Sequence, residues 1–370
     1  MDAGVTKTAK HKIVLDVMGA DLGPSTIVGG GLMAAERFGE AIHVILVGRR
    51  PEIEEALRER KMLRKNISVQ HADEEIRMTD AARDSVRVRN SSMAVGLRLV
   101  KSGEADAFVS PGNTGAVMAN SLLILGRIEG VLRPAITSMF PTSTGRQTIV
   151  LDVGANADCK PQHMSQFAVM GSVYASVIFN LEAPRVGLIS IGEEQSKGKE
   201  LIFETYKLLE GSKINFVGNI EGRDILSGTI DVAVVDGFTG NILLKFGESI
   251  MPMLVKTMRR QVQTNLFSRV GASLLLPFLR RLKNSLDYAE AGGAPLLGVN
   301  GNVIICHGGS NEKAISSAVA VAFEMAEKGV KERIHDDLVT NHFGQTNGTD
   351  TKSQDTRDGI IYATSPSDQR

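Results

Sequence analysis

Short runs of Ile, Val and Leu recur along the chain, and they are nearly continuous in apolar character rather than alternating. They are Lys12 to Val17, His43 to Val47, Ile67 to His71, Ala107 to Ser110, Thr148 to Asp152, Arg185 to Ile191, Asn215 to Val217, Asp231 to Val235 and Val303 to Cys306. A strand that is apolar at every position must be covered on both faces, whereas an alternating one can leave a face to water. Between most of these runs lie stretches with apolar residues three and four apart, such as Gln162 to Asn180 and Glu312 to Lys328. The alternation predicts an α/β chain: a three-layer α/β/α sandwich on a mostly parallel sheet.

Five times an apolar segment stops at a loop of Gly, Asn, Asp and hydroxyl residues before a helix-like stretch begins. The loops are Ser110 to Gly115, Asp152 to Asp158, Gly218 to Asp224, Asp236 to Asn241 and His307 to Asn311. In an open parallel sheet such loops share the carboxyl edge, so the expectation is one polar crevice lined by all five. Its chemistry favours anions, because N–H groups at helix starts are unobstructed beside glycine.

Within these loops the candidates are specific. Gly112, Asn113, Thr114 and Gly115 precede a helix from about Ala116 to Leu125 and form either an anion cradle or a tight turn with a helix cap. Asp152, Asn156, Asp158 and Lys160 fall together at one strand end, with Pro161 opening the next helix. Lys197, in Gly192 to Gly198, is a counter-charge for an anionic substrate or a solvated lysine, and Lys160 has the same two readings. Asp236 and Asn241, with Lys245 one turn on, repeat the pattern. His307, before two glycines and Ser310, is a general acid, a base, an oxyanion donor or a turn histidine bonded to backbone. Cys306 beside His307 is no catalytic pair, since neighbours in a strand face opposite ways.

The 370 residues allow one large unit or two lobes, and 42% apolar content supplies an ample core. We expect a flexible N-terminus over 1–11, a single two-lobed catalytic domain over 12–338 and a disordered tail over 339–370. Aromatics are scarce, tryptophan is absent and the formal charge is zero, which argues against nucleic acid as a partner. Cys159 and Cys306 are the only cysteines, and the seven histidines show no ligand spacing, so neither a disulfide framework nor a zinc site is expected. With no secretory signal and no membrane-spanning run, the reading is cytoplasmic.

One stretch departs from the pattern. Ser249 to Leu286 contains Lys256, Arg259, Arg260, Arg269, Arg280, Arg281 and Lys283, with an aspartate or glutamate nowhere between Ser249 and Ser285. Met251, Leu254, Met258, Val262 and Leu266 share one helical face, and Leu275, Leu279, Leu282 and Leu286 another after Gly271. This predicts a helical hairpin over 249–286 with a basic side and an apolar tip at Leu274, Leu275, Leu276, Pro277 and Phe278. Such a hairpin suits a dimer interface, an anionic bilayer or an acidic carrier protein, and the three roles are compatible.

The ordered set of motifs resembles that of the bacterial phosphate acyltransferases of phospholipid synthesis, the PlsX type. It is carried by Asp16-Val17-Met18-Gly19-Ala20-Asp21, Ser110 to Ala116, Asp152 to Pro161, Arg185 to Gly198, Phe216 to Asp224, Asp236 to Lys245 and Gly292 to Ser310. Ala20, Pro111, Ala291 and Gly309 depart from the residues common at those positions. The resemblance implies acyl transfer from acyl carrier protein to inorganic phosphate, a fold shared with phosphotransacetylase and the isocitrate dehydrogenase group, and no organic cofactor. It also implies a homodimer that touches the membrane through its hairpin and passes acyl phosphate to a membrane glycerol-phosphate acyltransferase.

On this reading Asp16, Asn113, Thr114, Asn156 and neighbouring N–H groups hold phosphate, Lys160 or Lys197 neutralises it, His307 faces the oxyanion or the departing thiolate, and Asp152 and Asp236 orient these groups. Lys256, Arg259, Arg260, Leu275, Leu276, Phe278, Arg280 and Arg281 are the expected carrier or membrane contacts. The rival readings are a phosphotransacetylase-like enzyme acting on coenzyme A thioesters, an oxidoreductase of the isocitrate type and a lipid-surface scaffold.

Overall fold

The computed structural model describes residues 11–60, 65–262 and 292–341. All nine apolar runs form strands, and they lie in one eleven-stranded sheet. One half contains β1 (His11–Asp16), β2 (Ile42–Gly48), β3 (Ile67–His71), β4 (Ala107–Ser110) and β11 (Asn302–Ile305), all mutually parallel. The other contains β6 (Gln147–Leu151), β7 (Val186–Ile189), β8 (Phe216–Ile220) and β9 (Val232–Val234), again mutually parallel. Alternate residues explain the continuous apolar runs: Ile13 and Leu15 of β1 enter one hydrophobic cluster and Val14 enters the cluster on the opposite face.

Two strands that the apolar pattern misses join the halves. These are β5 (Ala135–Pro141) and β10 (Ala294–Leu297), inserted so that the order is β3-β2-β1-β4-β11-β10-β5-β6-β9-β7-β8. The β11–β10, β10–β5 and β5–β6 pairs are each antiparallel, which leaves the second half running opposite to the first. Neither strand reads as a buried apolar run. β5 buries Thr137 and Ser138, and β10 carries Pro295, whose carbonyl accepts the Thr137 hydroxyl at 3.2 Å.

Helices cover both faces. On one lie α1 (Gly23–Phe38), α6 (Pro161–Phe179), α9 (Glu312–Glu327) and α10 (Val330–Thr340); on the other lie α4 (Ser92–Lys101), α5 (Thr114–Ile124) and α8 (Gly237–Val262), the last through Leu243 and Leu244. Three segments differ from expectation. Gly218 and Asn219 belong to β8 rather than to a loop, because their backbone continues the pairing with β7. Asp236 to Asn241 is not an open loop either, since α8 begins at Gly237. The region expected to open a hairpin at Ser249 is the continuation of α8, with Pro252 inside the helix, and Leu275, Leu276, Phe278, Arg280 and Arg281 lie outside the described residues.

Close helix packing sets where the first loop sits. A Cβ at Gly30 of α1 would lie 2.5 Å from the Ile315 Cβ of α9, and Arg60 pairs with Glu312 beside it. Because α1 starts where the β1 loop ends, this contact fixes that loop. Gly30→Ala is expected to lower stability by roughly 1–3 kcal/mol through overpacking, read as a lower urea midpoint. An unchanged midpoint would show that α1 and α9 do not approach this closely.

Candidate active site

The loops form two groups rather than one crevice, because the reversal at β10 and β5 sends the carboxyl ends of the two halves to opposite edges of the sheet.

The first group follows the adjacent strands β1, β4 and β11. Asp16 ends β1 almost wholly buried, accepting the Ser110 hydroxyl at 2.8 Å and the Met18 N–H at 3.1 Å. Ser110 in turn accepts the Gly112 N–H at 3.1 Å. Burial pushes the Asp16 carboxyl up to about 6, against the bonds from Ser92, Ser110 and Met18. Gly19 adopts φ +77° and any Cβ there would lie 2.6 Å from the Ile76 carbonyl oxygen, so the turn requires glycine.

Asn113 caps α5 by accepting the Ala116 N–H at 3.0 Å, and its amide donates to the carbonyls of Met78 at 2.7 Å and Asp80 at 3.1 Å. Its side chain therefore builds the loop. What remains for a ligand is the exposed Thr114 and the N–H groups of Thr114 and Gly115, which have no acceptor within the helix. The β11 loop lies alongside: Cys306 donates its N–H to the Ser110 carbonyl at 2.8 Å, and Asp21 donates its N–H to the Gly308 carbonyl at 3.0 Å.

His307 is exposed, and its Nδ1 lies 3.1 Å from the Gly309 N–H. An Nδ1 that accepts leaves the ring proton on Nε2, so the neutral ring presents a donor. The buried Ser310 holds the same turn through its N–H to the His307 carbonyl at 2.9 Å. A cleft of about 260 Å³ opens beside these loops, lined by Gly19, Asp21, Arg49, Glu75, Arg77 and Met78 among others.

The second group follows β6, β7 and β9. Asp152 is fully buried and accepts N–H bonds from Ile136, Gly154, Ala155 and Asn156 together with the Asn156 amide, at 2.7 to 3.2 Å. Burial raises its carboxyl against the pull of those donors. Asn156 spends its other amide hydrogen on the Pro134 carbonyl at 2.7 Å. Gly240 packs so tightly on Asp152 that a Cβ would lie 1.9 Å from its carbonyl oxygen, and Asn241 lies against Gly154. Asp152 thus organises backbone and is not free as a base.

Asp236 starts α8 by accepting the Thr239 N–H and hydroxyl at 3.0 Å, and pairs with Lys199 at 2.9 Å. Burial raises the Asp236 carboxyl, but Thr239 and Lys199 outweigh it and hold it below the usual range. Lys199, which sequence reading passed over, is thus the lysine that reaches this group. Lys160, Asp158 and Lys197 are exposed, and Lys245 pairs with Glu248 at 2.9 Å along its own helix. Nothing in Lys197-Gly198-Lys199 distinguishes the two lysines before the chain folds. Arg49, Glu75 and Arg77 of the cleft were likewise unmarked by any motif.

The sheet order and loop placement define a chain of the phosphotransacetylase fold. A phosphotransacetylase from Streptococcus pyogenes superposes with a TM-score of 0.59 at 18% identity, covering 87% of this chain and 96% of that one. A branched-chain phosphotransacylase from Enterococcus faecalis gives 0.56 at 12% identity, covering 85% and 99%. A family profile described as "Fatty acid synthesis protein" matches residues 11–333. "Phosphate acyltransferase" of Geobacter sulfurreducens is 45% identical, covering 89% of this chain and 94% of its own length, and that of Pelotomaculum thermopropionicum is 47% identical, covering 88% and 95%. The chain belongs to this phosphate acyltransferase family and is an acyltransferase.

The raised Asp16 has a thermodynamic signature. Its folded-state value of about 6 lies above the ordinary 3.8, so the folded state binds this proton more tightly. The stability it contributes is complete below pH 3.8 and is lost as pH rises through about 6. Relative to Asp16→Asn, which cannot titrate, wild-type stability should fall by about 3 kcal/mol across that window. Parallel stability curves for the two proteins would contradict it.

Proposed function

We propose that the chain transfers a fatty acyl group from the thioester of acyl carrier protein to inorganic phosphate, at the loops after β1, β4 and β11. The observation that carries this reading is the start of α5, where the N–H groups of Thr114 and Gly115 have no acceptor within the helix and follow β4, the strand paired with β11 from whose end the His307 loop emerges. In the second group Asp152 and Asp236 take up the N–H groups of their own turns and the Lys199 ammonium, which leaves fewer donors for a phosphate.

Phosphate is already nucleophilic near neutral pH, so no acyl-enzyme is needed. An oxygen of hydrogen phosphate attacks the thioester carbon; the new C–O bond forms as the C–S bond breaks, and the leaving thiolate takes up the proton that the phosphate carried. The protein's tasks are to hold the two reactants in line and to stabilise the oxyanion. The Nε2–H of His307 serves the oxyanion and then the departing sulfur, while Asp16 and Ser110 fix the backbone at Gly112.

The proposal extends to the surroundings: a cytoplasmic homodimer in peripheral contact with the anionic inner membrane face, passing acyl phosphate to a glycerol-phosphate acyltransferase for phosphatidic acid synthesis. The exposed Lys256 and Arg260 of α8 support the anionic contact. Among the described residues, no helix is long and apolar enough to cross a membrane.

The test is acyl phosphate formation from palmitoyl carrier protein and from palmitoyl-coenzyme A, with phosphate varied. We expect the carrier to be the better donor. His307→Ala should lower kcat about 100-fold, as loss of one oxyanion donor does, and His307→Gln, which keeps an N–H, should recover part of it. Equal rates in all three proteins would remove His307 from the reaction, and a preference for coenzyme A would replace the carrier as donor.

A further inference from the structure

The cleft beside the first group of loops shares walls with two of them. A Cβ at Gly308 would lie 2.6 Å from the Asp21 carboxylate and 3.0 Å from the Met78 methyl, and the Met78 carbonyl accepts the Asn113 amide at 2.7 Å. Gly19, which also lines the cleft, comes close to the Gly112 Cα, 3.9 Å from the position of a Cβ. From these walls the cleft extends away from β4 and β11. Arg49 and Glu52 line it and follow β2, which pairs with β1 on the side opposite β4. Its inner end is therefore at the His307 and Asn113 loops, and its outer end lies roughly 5–10 Å further out, one or two strand spacings.

The lining says what the cleft can hold. At about 260 Å³ it lies just below the roughly 300–1,000 Å³ of ordinary small-molecule sites, so it takes a slender arm. A phosphate group finds no spare guanidinium in the lining: Arg49 is bonded to Glu52 and to Glu75, the latter at 2.9 Å, and Arg77 lies 3.7 Å from the same Glu75. A methylene chain would lie against Asp21, Arg49, Glu52, Glu75 and Arg77 and cost them hydration without returning a hydrogen bond. An uncharged chain with amide and hydroxyl groups between short apolar pieces meets neither objection. It finds acceptors in the carboxylates, donors in the guanidinium groups and apolar contact on Met18, Ala20, Pro24 and Met78.

We infer that this cleft receives the pantetheine arm on which the acyl thioester is carried, so that the enzyme recognises its donor by the arm. This rests on the acyl-transfer reading above. A pantetheine arm has the required make-up: two amides, a hydroxyl and a pair of methyl groups, with the sulfur at one end. Seated in the cleft, it brings that sulfur to the inner end, beside Gly308 of the His307 loop and Gly112 before α5. Met78 and Arg77 are then specificity-determining residues for the donor.

The test compares two small donors with the same octanoyl thioester: octanoyl-pantetheine, and octanoyl-N-acetylcysteamine, which keeps only the amide nearest the sulfur. The ratio of their kcat/KM values is measured for wild type, Met78→Trp and Arg77→Ala at fixed phosphate. Wild type should favour the pantetheine thioester about tenfold, the worth of one or two hydrogen bonds. Met78→Trp, which fills the cleft from a partly exposed position, should bring the ratio close to one, and Arg77→Ala, which removes an exposed donor, should lower it about threefold. Both donors react at the same loops, so a general disturbance of those loops cancels in the ratio. A wild-type ratio near one, or the same ratio in all three proteins, overturns the arm site. If wild type forms acyl phosphate from neither small donor nor octanoyl carrier protein, the acyl-transfer reading fails and the arm site fails with it. A preference for octanoyl-coenzyme A would remove only the carrier as donor, and the ratio would still decide the arm site, because coenzyme A ends in the same arm.

Discussion

β10 and β5 join two parallel half-sheets through antiparallel backbone hydrogen bonds, and this reversal governs everything the chain does at its loops. With parallel pairing throughout, the ends of β4, β6, β9 and β11 would share an edge. With the reversal, Asp16, Asn113 and His307 gather at one end and Asp152, Asp236 and Lys199 at the other. Each group is closed by hydrogen bonds among its own loops.

Each end is organised around a buried carboxyl group with a different complement of donors. Asp152 receives five N–H bonds and holds a complete turn in place, a structural duty that exhausts its acceptor capacity. Asp16 has the Ser110 and Ser92 hydroxyls and one N–H, and burial outweighs them enough to move it toward neutrality. Through Ser110, the Asp16 carboxyl is bonded to the Gly112 turn that precedes α5.

α8 is the element that links the two ends. Its glycine face is fixed by contact with Asp152 and Phe140, and that fixation leaves Phe238, Ile242 and Phe246 turned to solvent. An apolar stripe held outward by close packing on the other side is a consequence of small residues placed at the contact face. The same packing would be lost if Gly240 carried even a methyl group.

The strands and helices of both halves were legible because a strand covered on both faces must be apolar throughout, and a packed helix must repeat its apolar residues every three or four positions. The polar character of the loops was legible too, as was the set of residues within them. β5 and β10 were not, since buried Thr137 and Ser138 and the proline in β10 break the apolar pattern while their bonding partners lie far away in sequence. Nor could the chain alone show that Asn113 and Asn156 would spend their amides on backbone, or that Lys199 rather than Lys197 would meet Asp236. The sequence by itself determined the layered α/β class and the polar make-up of its strand-end segments, because both rest on local periodicity and residue type. Only the tertiary structure decided which loops meet, because strand polarity and hydrogen-bond partners depend on pairings between segments distant in the chain.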